Sequence, residues 1–279
     1  MSTVVAHEKV AARPDGGPRR RVDRARARQL AGSVLCFVAL VAVWQFLVDQ
    51  ELLSRRAVAP PAEVAGALWG LLRTPEFWAA IGGTIRTWVT GLLVSITIAV
   101  PVGLILGGSA LLYRMFRVSI DFLRTIPPIV LLPLALLLYG ATQRTALLVI
   151  VFGSVWPLLL QTMYGVHQMD PVTKDVARAY GLRRREVLLR LVIPSAAAFI
   201  ATGVRIAATM SLLLTIGTEL LGGVFGVGAQ IAVAQTQYKT IPDMYAYVVA
   251  ATALGVVLNL LMMRLERRVL SWHAAHRTA

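Results

Sequence analysis

The chain of 279 residues has one cysteine, Cys36, so no disulfide can form within it. Charged side chains make up only 15% of it, against about 25% in a soluble globule. Neither H-E-x-x-H nor G-x-x-x-x-G-K-[ST] occurs. The first absence leaves no metalloprotease-type zinc site, and the second means that any ATP chemistry must come from another chain. Ser154 follows Gly153 but precedes Val155, and His167 ends the same apolar run. His7, His273 and His276 lie near the termini. The nucleophile and base of an intramembrane hydrolase are therefore missing, and no catalytic residue, cofactor or metal is expected. No period of 20–50 residues is visible, which argues against the repeat architecture common in secondary carriers.

What the chain has instead is apolar length: hydrophobic residues are 57% of it. A helix needs about 20 apolar residues to cross a bilayer core of ~30 Å. Runs at 31–48, 87–108, 125–143, 145–169, 191–222 and 244–263 meet or approach that length. They are continuous rather than alternating, which points to helices and not to a barrel. The expectation is an all-α membrane protein with six transmembrane helices.

The formal charge of +14 is a signal of orientation. With the N-terminus inside, segments 1–30, 109–118, 164–190 and 264–279 face the cytoplasm and hold 20 of the 28 Lys and Arg residues. The outer segments 49–86, 140–144 and 223–243 hold six, and Arg124 and Arg205 fall within spans. This positive-inside bias places both termini in the cytoplasm. A nucleic-acid partner is not expected, because the basic residues sit on the loops of one side. Residues 1–29 are too poor in apolar side chains to fold alone and read as a flexible basic tail. Residues 30–279 read as one membrane domain. The run after "RRRVDR" is too long for a signal-peptide core, so it reads as an uncleaved first span.

Several features mark places inside that domain. Pro60 and Pro61 can open a helix, and Val64, Leu68, Leu71 and Leu72 recur at helical spacing beside Trp69, so this stretch reads either as a short helix on the outer membrane surface or as a simple connector. Gly103 and Gly107 form a small-xxx-small pair suited to close helix contact, beside a proline, Pro101. Pro127, Pro128 and Pro133 make a straight third span implausible, and such breaks survive where a cavity or a neighbour satisfies the backbone. Asp121 and Arg124 are three apart and can pair. Arg205 and Glu219 are charges inside the fifth span, about 21 Å apart along a helix. Charges at such depth are either functional or snorkel to a helix end. Arg124, Pro127, Pro133, Arg205 and Glu219 are the candidate pathway and gate residues. Gly222, Gly223, Gly226 and Gly228 announce a turn before a short re-entrant or surface helix.

The loop at 164–195 carries the strongest pattern. Asp170 and Pro171 suit the start of a helix, and Gly181 suits its end. Val172, Val176, Ala179 and Tyr180 fall on one apolar stripe. A stripe facing water on a short rigid helix calls for a groove on a partner. A second helix from about Arg184 runs through Pro194 into the fifth span.

This pattern resembles the loop of the permeases of bacterial binding-protein-dependent ABC importers, E-A-A, three residues, G, nine residues, I-x-L-P. Here it reads Asp175-Val176-Ala177, Gly181, then Leu191-Val192-Ile193-Pro194. Asp175 and Val176 depart from the pattern conservatively, and Arg183 stands where a small capping serine is common. "FLRTIPPIVLLPLALLLYG", "GVRIA" (203–207), "TEL" (218–220), "GVG" (226–228) and "LERRVLSW" (265–272) are similar to the aliphatic-sulfonate, taurine and nitrate subgroup. The resemblance implies a type I importer fold in the bacterial cytoplasmic membrane and two permease copies, usually identical. It also implies cytoplasmic ATPase subunits and an extracytoplasmic substrate-binding protein. Val172, Asp175, Val176, Ala177, Ala179, Tyr180, Gly181 and Pro194 would then belong to the ATPase-coupling element, and the solute would be a small organic or inorganic anion.

The charge split sets a direct test. In a Cys36→Ala background, a membrane-impermeant thiol reagent added to intact cells should label Ala141→Cys or Lys239→Cys and leave Arg184→Cys untouched. Labelling at 184 from outside would reverse the assigned orientation.

Overall fold

A computed structural model describes residues 32–269 apart from 33–34, 37, 51, 53, 55–56, 170–171, 174–176, 178 and 237–240. The expected basic tail therefore lies outside the described residues. The chain divides into two units, Met1–Pro61 and Ala62–Ala279. In the first, an apolar helix α1 covers Val38–Asp49. The Gln45 amide donates to both carboxylate oxygens of Asp49, one helical turn on. At twelve residues α1 is shorter than a full span, and the expected run from 31 lies partly outside the described residues.

The second unit contains α2 (Pro61–Leu71), α3 (Pro75–Gly108), α4 (Ala110–Leu123) and a 3-10 turn at Pro128–Leu131. It continues with α5 (Leu132–Tyr139), α6 (Gln143–His167), α7 (Arg184–Val187) and a π-helical turn at Leu188–Val192. It ends with α8 (Ile193–Gly222), α9 (Val227–Thr236) and α10 (Ile241–Val269). All regular structure among the described residues is helical.

Four helical stretches are long and apolar enough to cross a bilayer: α3, α6, the stretch 185–236 that contains α8, and most of α10. A fifth forms if α4 and Pro128–Tyr139 count as one span bent by 76°.

Two boundaries differ from the sequence expectation. The second long helix starts at Pro75 and not near 87, with Pro75 in the first turn, where its missing N–H is not needed. The apolar run was cut short by Arg86, which a helix tolerates on an outward face. The segment 109–118 is not a bare connection either. Ser109 accepts a hydrogen bond from the Leu112 N–H at 3.4 Å and starts α4 at Ala110. Arg114, Arg117, Asp121 and Arg124 break the apolar run there but recur on one side of the helix, so hydropathy alone misplaces its start.

The core of the second unit is built around α6. Its neighbours approach through glycine, where a side chain would collide. A Cβ on Gly103 would stand 2.7 Å from Thr162 Cβ, and one on Gly107 would stand 2.9 Å from Val166 Cβ. On α6 itself, Gly165 faces the Ala196 backbone of α8 at 3.0 Å. Gly203 of α8 returns the contact against Gln161 and Leu158. Trp88, Leu92, Leu158, Leu159, Met163 and Ala207 pack into the cluster between them. The Trp88 indole N–H donates to the Ala208 carbonyl at 2.9 Å, tying α3 to α8. Buried hydroxyls at Ser95, Ser154, Thr162 and Thr215 each donate to the carbonyl four residues earlier, so they need no water. A second cluster joins Phe77 and Ala80 of α3 to Val227 of α9 and Tyr247 of α10, with Leu68 and Leu71 of α2 beside it.

The glycine contacts give a matched pair of substitutions. Gly82 of α3 has nothing within 4 Å of its would-be Cβ, whereas Gly103 on the same helix faces α6. Gly82→Ala should leave the detergent melting temperature unchanged or raise it, since alanine is favoured over glycine by up to about 1 kcal/mol in a helix. Gly103→Ala should lower it, by about 1–3 kcal/mol of overpacking.

Candidate coupling and pathway sites

The loop between α6 and α8 is described in part. Asp170, Pro171, Asp175 and Val176 lie outside the described residues. Around them, Val172, Ala177 and Ala179 are helical. Ala177 is buried, while Val172, Ala179 and Tyr180 are exposed, Tyr180 at 81%. Gly181 has φ +64°. The Leu182 N–H donates to the Ala177 carbonyl at 3.1 Å, across five residues. A left-handed residue followed by that bond is a Schellman stop, and it turns the chain sharply. Of the stripe expected from spacing, Val172, Ala179 and Tyr180 are exposed and Val176 lies outside the described residues, while Ala177, which is not on that stripe, faces inward.

The next helix begins without a capping serine. The Arg183 N–H donates to the Glu186 carboxylate at 2.9 Å. That is the reciprocal half of a capping box, with the acid three residues inside the helix accepting from the cap. From Arg184 the chain stays helical to Gly222. The stretch Leu188–Val192 widens to π geometry just before Pro194, which sits in the first turn of α8. A proline removes one helical hydrogen bond and crowds the carbonyl four residues earlier, and a π turn relieves that crowding.

The five candidate pathway residues fall into separate clusters. Arg124 caps the end of α4, where its Nε lies 3.2 Å from Asp121 Oδ1. Asp121 also receives Arg117, at 3.7 Å. Pro127 and Pro133 bracket the break between α4 and α5. Pro128, between them, packs against Gly153 of α6, whose Cβ would stand 2.8 Å from the proline ring. Arg205 bridges from α8 to Glu266 of α10 at 3.3 Å, and Glu266 also accepts from Thr202 at 3.5 Å.

Among the described residues Glu219 is the most enclosed ionisable side chain. Its side chain is fully buried. Its Oε2 accepts from the Thr84 hydroxyl of α3 at 2.9 Å and from the Gly228 N–H at 3.0 Å. Thr84 Oγ1 in turn accepts from the Val227 N–H at 2.9 Å. Glu219 and Thr84 together therefore satisfy the first two N–H groups of α9, Glu219 taking Gly228 and Thr84 taking Val227. Its Oε1 is buried and has no hydrogen-bond partner among the described residues. Gly226 is the space this arrangement needs, because any Cβ there would overlap the carboxyl group. Gly228 is equally tight, with Ile216 O at 2.5 Å from a would-be Cβ.

The sequence reading missed Thr84, Glu266 and Glu186. Thr84 lies 135 residues from Glu219 and carries no local pattern. Glu186 was legible as the acid three residues after Arg183. The Thr84 bridge predicts a clean outcome. Thr84→Val keeps the volume but leaves the Val227 N–H orphaned and removes one donor from Glu219. It should destabilise the detergent-solubilised protein by about 1–3 kcal/mol. Thr97→Val, at an exposed position of α3, should stay within about 0.5 kcal/mol of the parent.

Comparison with known proteins fits these elements together. Over 252 residues, covering 87% of this chain and 88% of the relative, it is 26% identical to the nitrate import permease protein NrtB of Leptolyngbya laminosa. It is 32% identical over 195 residues to the bicarbonate transport system permease protein CmpB of Synechococcus elongatus, covering 70% of this chain and 69% of the relative. The putative aliphatic sulfonates transport permease protein SsuC of Escherichia coli K12 is 27% identical, over 86% of this chain and 90% of its own. Among solved structures, a chain of the inward-facing MetNI methionine ABC transporter superposes with a TM-score of 0.61 at 17% identity. It covers 70% of this chain and 96% of that one, which shows a shared fold. Residues 99–271, most of the span from α3 to the end of the chain, match one family profile, and the chain belongs to the binding-protein-dependent transport system inner membrane components.

Proposed function

We propose that this chain forms half of the membrane path of an ATP-driven importer and carries a small anion of the nitrate, bicarbonate or sulfonate type. Three relatives whose names specify such anions support the substrate class. The charge distribution supports six spans with both termini in the cytoplasm, of which α3 to α10 would supply four, or five if the bent pair is one span. Two copies are needed, because so few helices enclose a poor pathway alone. An extracytoplasmic binding protein delivers the anion, and a cytoplasmic ATPase supplies the energy.

The observation that carries the coupling role is the loop. A short helical segment ends at the positive-φ Gly181, shows Val172 and Tyr180 outward, and passes within three residues into a helix continuous with α8. An exposed tyrosine and valine on a rigid turn suit a helix-in-groove contact with the ATPase. Burying such a side chain is worth about 1.5–3 kcal/mol.

Gly181→Val should fail at this site because a β-branched residue resists positive φ. Tyr180→Asp should place an unpaired charge in the groove. Both should insert normally into the membrane, co-purify with less ATPase and lose uptake of labelled nitrate or sulfonate by at least tenfold. Wild-type uptake and ATPase retention by Gly181→Val would remove the loop from the coupling role.

A further inference from the structure

α4 carries two unlike faces. Leu111, Met115, Val118 and Phe122 recur at helical spacing and are all exposed. A different side presents Arg114, Arg117, Asp121 and Arg124. Between these two faces, Ile120 is buried, and Tyr113 packs edge-on against the His167 ring of α6. An apolar face of this kind suits lipid or a neighbouring helix. A face with three arginines does not, and where α4 passes from the cytoplasmic segment toward the break at 124–131 it must meet water or a charged ligand.

That polar side opens into a notch of about 150 Å3 between α4 and α6. Tyr113, Arg117, Asp121, Arg124 and Tyr164 line it. Both arginines share the single carboxylate of Asp121, with Nε at 3.7 and 3.2 Å from its two oxygens, so most of the ten guanidinium N–H donors remain for another partner. Two guanidiniums against one carboxylate leave the notch with one excess positive charge. The phenol groups add hydroxyl donors. A water occupies ~30 Å3 in the liquid, so the notch has room for one small polyatomic anion and part of its shell. The planar guanidinium fork suits paired oxygens of such an anion.

We propose that this notch is a transit site for the oxoanion head of the imported solute, held by Arg117 and Arg124, with Asp121 as the resident counter-ion that the solute displaces. The proposal rests on the anion-importer reading above and assigns it a place in the permease. The three side chains are roughly half exposed or more, so the site binds weakly. A path needs that: a solute must enter a site and also leave it. Asp121 adds to the weakness by competing for both cations.

The test uses the purified permease–ATPase complex in nanodiscs of zwitterionic lipid, without binding protein. Sodium nitrate and sodium methanesulfonate are titrated at constant ionic strength against gluconate, and the thermal midpoint is followed. The wild type should show a saturable shift. Arg117→Gln and Arg124→Gln should each weaken the half-saturating concentration at least tenfold, and Arg124→Lys should fall between them and the wild type. Asp121→Asn should tighten binding several-fold, an effect that a merely structural ion pair would not produce. The proposal is overturned by a wild type that shows no saturable shift, by Gln variants that bind like the wild type, or by Asp121→Asn that binds more weakly. It is also overturned if the arginines instead retain phosphatidylglycerol through purification in one-to-one amount and anions do not displace it, since the notch is then a lipid headgroup site. The importer reading fails separately: loaded binding protein would not stimulate the wild-type ATPase in the same nanodiscs.

Discussion

Close backbone approach across α6 is the constraint on which the rest depends. In hydrocarbon there is no water to drive helices together, so packing and internal hydrogen bonds must do it. Gly103 and Gly107 bring α3 against α6, and Gly165 and Gly203 bring α8 against its other side. Once these three backbones are close, the buried hydroxyls can satisfy themselves on their own helices. The Trp88 indole can also reach across to Ala208. Arg205 and Glu219 take their positions from that frame, because both lie on α8.

The two charges on α8 find different solutions to the cost of burial. Arg205 stays partly accessible and pairs with Glu266 on α10. A half-open ion pair of this kind contributes little to stability by itself, but it fixes the α8–α10 spacing near that end. Glu219 is wholly enclosed, and its carboxyl group is held by dipoles: the Thr84 hydroxyl, which itself accepts from the Val227 N–H, and the Gly228 N–H of α9. Replacing water with such fixed donors is what makes an enclosed carboxylate tolerable. The arrangement also explains the glycines that follow. Gly223 reverses the chain at φ +65°, and Gly226 and Gly228 leave no side chain where the carboxylate must lie.

Much of this was legible in the residues. Continuous apolar runs marked the long helices, and the glycine-rich stretch after Glu219 marked a turn and a short helix, found at Val227–Thr236. The E-A-A-like spacing of the loop, together with the ordered short motifs around it, pointed to the family that the profile match shows. What local pattern could not reveal was which distant group each buried charge would meet. Thr84 looks like any helical threonine until α9 is folded onto α3. α4 was missed for the opposite reason: its signal was present as an amphipathic period, but a search for apolar length discards a helix with four charged residues on one side. On the loop helix, Val172, Ala179 and Tyr180 of the expected stripe are exposed, and the buried residue is Ala177, off that stripe. Spacing on a short helix marks its apolar face and leaves open which residue seats it until neighbours are folded against it.

On the proposed coupling, the mechanical route is short. From Arg184 to Gly222 the chain is one helical rod, and α8 alone is about 45 Å long at 1.5 Å per residue. The rod has one soft place, the π turn at Leu188–Val192 beside Pro194, where the regular ladder is interrupted. Beyond it, α8 is held at Arg205 and again at Glu219. A pull applied at Gly181 therefore has two outcomes. It bends the rod at the π turn, or it moves α8 as a unit and strains both attachments. The attachments differ in strength: a partly exposed ion pair yields before a buried carboxylate with two donors. Motion driven from the cytoplasm would consequently loosen the Arg205 end first and pivot on Glu219. That order would open the inner end of the path while the outer end stays held.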